Sequence, residues 1–91
     1  MKSLHLIISG RVQGVGFRDW LMRQARSRAV SGWVRNRGRD QVEAVICGAP
    51  ADVDALVAAC DQGPPAARVR SVTATQTDPL EEFSFRILPS I

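Results

Sequence analysis

Residues 32–48 read GWVRNRGRDQVEAVICG, and their interpretation settles the fold. "GWVRNRG" and "QVEAVICG" have the composition of two strands, and the short turn through "GRD" joins them as a hairpin. Strand phase puts Asn36 with Val34 and Gly32, opposite Trp33, Arg35 and Arg37. Upstream, "SLHLIIS" (3–9) alternates at Leu4, Leu6 and Ile8, and the extra Ile7 marks a central strand that is apolar on both faces. His5, the only histidine, lies on the opposite phase with no metal-ligand partner in the sequence around it. The period then changes. Phe17, Leu21, Ala25 and Ala29 follow helical spacing with Met22 at the edge of the stripe, predicting a helix that ends near Arg28 to Val30.

Downstream, "APADVDALVAACDQG" (49–63) is a second helix. Pro50 suits its first turn, Asp52 and Asp54 complement its N-terminal dipole, and Val53, Leu56, Val57 and Cys60 form its stripe. Gly63, Pro64 and Pro65 stop it. "ARVRSVTATQT" (67–77) and "FSFRIL" (83–88) are further strands, the second alternating at Phe83, Phe85 and Ile87, with "DPLEE" (78–82) a polar loop between them. The order is β-α-β-β-α-β with room for an extra terminal strand. Two crossovers around an antiparallel hairpin give an α+β, ferredoxin-like split βαβ sandwich with both helices on one face of the sheet. That plan serves many functions and names none by itself.

The chain has 91 residues, 45% hydrophobic and 23% charged, which bounds it to one domain covering residues 1–91. Eleven of the twelve cations are arginines, and eight of those fall between Arg11 and Arg39, where Asp19 is the only acid. Guanidinium groups pair in a fork with phosphate or carboxylate, so this half of the chain invites an anion. Cys47 and Cys60 lack metal-ligand spacing and read as small buried hydrophobes. The N-terminal apolar run is too short for a signal peptide or a membrane span, so a cytoplasmic location is expected.

Chemistry concentrates in "GRVQGVGFRDW" (10–20), where a strand runs through Gly10, Gly14 and Gly16 into a helix N-terminus. Such a junction presents several backbone N–H groups to one anion. The spacing matches neither a Walker loop nor a dinucleotide fingerprint. No nearby pair of carboxylates stands ready to hold magnesium, so the expectation is a cradle for one phosphate-sized group, without metal or cofactor. Arg18, in helical phase with Met22 and Ala29, turns toward the sheet, where a phosphate would be its partner. Asn36, an amide among apolar neighbours on its strand face, is suited to holding a water. Trp20 is assigned to packing, and Trp33 to anchoring the hairpin.

"GRVQGVGFR", "SGWVRNR" and "VEA", followed later by "GPPAARV", resemble the acylphosphatase family, in which a GxVQGVxFR loop precedes a GWVxN strand. The resemblance covers nearly the whole chain. It implies hydrolysis of the carboxyl–phosphate bond of acyl phosphates to carboxylate and inorganic phosphate. Carried over by residue, Arg18 would bind the phosphoryl group, and the amides of Gln13, Gly14, Val15, Gly16, Phe17 and Arg18 would complete the cradle. Asn36 would orient the attacking water, and no metal would take part. The implied partners are a small acyl phosphate and inorganic phosphate or another anion in the loop; neither nucleic acid nor membrane is expected, and the chain should act as a monomer.

Two features depart from the family pattern. Members usually carry Asp-Gly after the asparagine, whereas "NRGRDQVE" places Arg39 and Asp40 there and moves the glycine to Gly38. The C-terminus runs on as "FRILPSI" where many members stop at an aromatic. Two other readings stay open at this level. One is a binding module for acyl or carbamoyl phosphate, since the same domain occurs fused to larger carbamoyl-transferring maturation proteins. The other is an RNA-binding ferredoxin-like domain, which the missing tyrosines and the three phenylalanines disfavour.

Overall fold

A computed structural model describes residues 1–81 and 83–91. Its elements run β1 (Lys2–Arg11), α1 (Phe17–Ser27), β2 (Ser31–Arg37), β3 (Gln41–Gly48), α2 (Pro50–Cys60), β4 (Arg68–Gln76) and β5 (Phe85–Ile87). The sheet is five-stranded in the order β4-β1-β3-β2-β5. β1 pairs antiparallel with β3 and β4, and β2 antiparallel with β3. Each helix therefore carries the chain past one intervening strand. β5, the extra terminal strand, lies parallel to β2 with Gly32 opposite Phe85 and Val34 opposite Ile87. This is the α+β split βαβ arrangement expected from the hairpin.

Alternation along the strands decides what each face does. Leu4, Leu6 and Ile8 of β1, Val34 of β2, Val42, Ala44 and Ile46 of β3 and Phe85 of β5 all point to the side covered by the helices and are buried. Phe17, Leu21 and Ala25 of α1 meet them, as do Val53, Leu56 and Cys60 of α2. Burial pushes the Cys60 thiol up to about 12, helped by the neighbouring Asp61 charge, so it behaves as the apolar filler its position in the stripe suggests. Cys47 is likewise free and buried.

Two boundaries differ from expectation, each for a local reason. Ala29 is not the fourth residue of the α1 stripe: the helix ends at Ser27, and Ala29 sits exposed with φ of 54°. That left-handed turn lets Val30 donate its N–H back to the Ala25 carbonyl at 2.9 Å and enter the core. Phe83 was expected to lead the last strand but is fully exposed, because the ladder begins only where Gly32 donates to the Ser84 carbonyl. Residues 78–81 form no helix or strand, as expected of that loop, and Glu82, which was placed in it, lies outside the described residues.

The face away from the helices carries a charged cluster centred on Glu43, which is 7% exposed. Its Oε1 accepts from Arg35 Nε at 2.7 Å and its Oε2 from His5 Nε2 at 2.7 Å, with Arg37 3.8 Å away. An ionised carboxylate only accepts, so His5 must carry its proton on Nε2. Burial alone would push the Glu43 carboxyl up. The hydrogen bonds from His5 and Arg35, and their charges, outweigh it and hold the group below the usual range. Arg35 also lies over the Trp33 ring, 4.8 Å from its centroid, which ties the hairpin anchor into the same cluster.

A carboxyl with a depressed folded pKa stabilises the protein above its unfolded value, and that contribution disappears as pH falls through the folded value. Glu43→Gln is therefore expected to lower the unfolding free energy at pH 7 by about 1.5–3 kcal/mol. Urea denaturation of both proteins from pH 7 to pH 3 should show the gap closing on the acid side.

Candidate active site

The junction between β1 and α1 holds together through backbone geometry. Gly14 and Gly16 have φ of 72° and 79°, left-handed values that side chains resist. They turn the chain abruptly into the helix. Gly16 is the residue before α1 and supplies no side-chain cap, and Trp20 is the first N–H to reach back to its carbonyl, at 3.0 Å. The amides of Phe17, Arg18 and Asp19 thus occupy the first turn, where no intrahelical acceptor exists and the helix dipole is positive.

Gln13 fixes where this loop sits. Its side-chain amide donates to the Gly38 carbonyl of the β2–β3 turn at 3.0 Å and to the Gln41 carbonyl at the start of β3 at 2.8 Å, with the Arg37 carbonyl at 3.4 Å. The sequence reading counted only its backbone N–H. An isolated amide between Val12 and the first loop glycine was the available signal, but the acceptors lie about 25 residues away. The altered turn, residues 38–40 with Gly38 at φ of 63°, is what receives this latch. Asn36 keeps its register opposite Val42.

Arg18 and Asn36 meet in one cleft of about 230 Å³, together with Gly14, Gly16 and the edge of Asp19. Val12 and Phe17 close its back, each 1% exposed, and Ile87 forms part of its wall. Asn36 Oδ1 is buried there without a hydrogen-bond partner. A buried orphan acceptor is costly unless something donates to it. Asp19 is held outward by Arg23, Nε to Oδ2 3.0 Å. Gln13 and Val15 direct their side chains elsewhere, the first to the turn and the second against the core. Trp20 packs edge-on to Phe17, with centroids 5.2 Å apart.

The tail after β5 completes the surroundings. Leu88 N–H donates to the Val34 carbonyl at 2.9 Å, Ile91 N–H to the Asn36 carbonyl at 3.0 Å, and Gly38 N–H to the Ile91 carbonyl at 3.0 Å. The backbone carrying Asn36 is thereby bonded on both sides, to β3 and to the tail. Among the described residues no group of three or more His, Cys, Asp or Glu could hold a metal ion, and no helix is long and apolar enough to cross a membrane.

Comparisons with known proteins bear on the family and the fold. The acylphosphatase family model matches residues 4–87. An acylphosphatase of Acidiphilium cryptum is 48% identical over 85 residues, 93% of each chain. The crystal structure of an acylphosphatase from Bacillus subtilis superposes with a TM-score of 0.90 at 35% identity, covering 97% of this chain and 99% of that one. A crystal structure of HypF from T. kodakarensis is 31% identical with a TM-score of 0.79; the match covers 99% of this chain and 12% of that protein.

The latch predicts a specific defect. Gln13→Ala should cost about 1–2 kcal/mol in urea denaturation, since it removes two good hydrogen bonds. It should also raise amide hydrogen exchange at Gly14, Val15 and Gly16 while leaving β3 amides protected.

Proposed function

Because this chain belongs to the acylphosphatase family and hydrolyses the carboxyl–phosphate bond of acyl phosphates, we propose that it does so with Arg18 holding the phosphoryl group and Asn36 holding the water. The observation that carries this reading is the unpartnered, buried Asn36 Oδ1 in the same cleft as Arg18 and the uncapped start of α1.

The phosphoryl oxygens lie against the Arg18 guanidinium and the loop amides from Gln13 to Arg18, whose dipoles point at the charge that develops there. Preorganised donors of this kind are often the largest contributors to such a reaction. Asn36 Oδ1 accepts a hydrogen bond from the water and aims its lone pair at phosphorus. The water oxygen forms the new P–O bond as the bond to the acyl oxygen breaks, and the electron pair leaves with the carboxylate. The water's protons pass to phosphate oxygen and solvent. A carboxylate is a good leaving group, so positioning and charge stabilisation suffice without a protein nucleophile or a metal.

The rest of the reading follows from the cleft's size and character. Its volume lies below the roughly 300–1,000 Å³ typical of clefts for drug-sized ligands, which suits a site built around a phosphoryl group. Inorganic phosphate, the product, should occupy the same cradle. We assign the whole activity to this one domain acting as a monomer, and its two free, buried thiols suit a reducing compartment such as the cytoplasm.

Hydrolysis of benzoyl phosphate in EDTA tests the assignment, with a phosphate monoester as control and inorganic phosphate as inhibitor. Wild type should cleave only the anhydride. Arg18→Ala should lower turnover by about 10²–10³ and lose inhibition by phosphate, whereas Asn36→Ala should lower turnover similarly and keep that inhibition. Full activity in Asn36→Ala would remove the asparagine from the mechanism. Phosphate binding by wild type without any turnover would make the chain a binding module.

A further inference from the structure

The cradle explains recognition of the phosphoryl group and leaves the acyl group unassigned. Of the apolar side chains around the cleft, Val12 and Phe17 are sealed in the core at 1% exposure and offer a ligand almost no surface. Ile87 is 40% exposed and lines the same cleft. It faces the reaction by strand geometry: β5 runs parallel to β2 with Ile87 opposite Val34, so it shares a face with Val34 and Asn36. Arg18 and Asn36 supply the polar groups, and Asp19, at the remaining edge, is tied to Arg23. The other large exposed apolar residues do not line this cleft; Phe83 borders a separate hollow with Arg26 and Val30.

We propose that Ile87 is the acyl-group contact of the cleft and makes the enzyme selective for acyl phosphates with an apolar acyl chain. The inference rests on the assignment of the phosphoryl group to Arg18 and the loop. An acetyl group is too short to cover Ile87, whereas a butanoyl, hexanoyl or benzoyl group withdraws the side chain from water. That contact is made equally in the bound substrate and in the transition state, so it acts on KM and leaves kcat in place.

Wild type should show kcat/KM rising from acetyl to hexanoyl and benzoyl phosphate. Ile87→Ala should raise KM for benzoyl phosphate about fivefold, within the usual range for a few lost apolar atoms. Acetyl phosphate kinetics and inhibition by inorganic phosphate should stay within about twofold in the same variant. Equal losses for acetyl and benzoyl phosphate would show that Ile87 acts through β5 and Asn36 and would overturn the proposal, as would unchanged KM for both. Should Ile87→Ala fail to fold, Ile87→Val and the wild-type chain-length series decide, and a flat kcat/KM across that series overturns it. Failure of the underlying reading is separate, since Arg18→Ala would then keep both its turnover and its inhibition by inorganic phosphate.

Discussion

One side-chain amide ties together the two segments that flank the proposed site. Gln13 bonds to the Gly38 and Gln41 carbonyls and so fastens the β1–α1 loop to the turn of the β2–β3 hairpin. Arg18 follows the first of these segments, at the start of α1, and Asn36 precedes the second, near the end of β2. The sheet brings β1 and β2 to either side of β3, and the Gly10 N–H at the end of β1 also donates to the Asp40 carbonyl of the turn at 3.1 Å. The latch carries this tie beyond β1 into the loop, and the left-handed glycines let the loop accept it. A cradle for an anion must hold its donors in place before the anion arrives, otherwise ordering them would be charged against binding.

The tail works on the other side of the same residue. Asn36 lies in the strand second from the edge at its β5 end, where β5 contributes three residues and the tail extends the pairing. Residues 88–91 thus contribute backbone bonds at the place where the short edge strand runs out. The departure in the turn is compensated too. Gly38 gives the turn its left-handed bend, and its carbonyl becomes an acceptor for Gln13.

Most of the architecture was legible because its signals are local. The hairpin, both helices and the uncapped glycine junction follow from periodicity, proline and glycine placement within windows of ten or so residues. The basic half of the chain was visible as composition, but its meaning was not: Arg35 pairs with Glu43 and covers Trp33, Arg23 pairs with Asp19, and Arg26 donates to the Phe85 carbonyl. Only Arg18 among these enters the cleft. What remained hidden depends on distant pairings. The role of Gln13, the wall formed by Ile87 and the failure of Phe83 to join a strand are all decided by residues tens of positions away, which no local pattern encodes.

The parallel pairing of Gly32–Val34 with Phe85–Ile87 joins segments more than fifty residues apart through a ladder three residues long. Closing so long a loop carries an entropic cost, which the burial of Phe85 and the backbone bonds from Leu88 and Ile91 to Val34 and Asn36 offset.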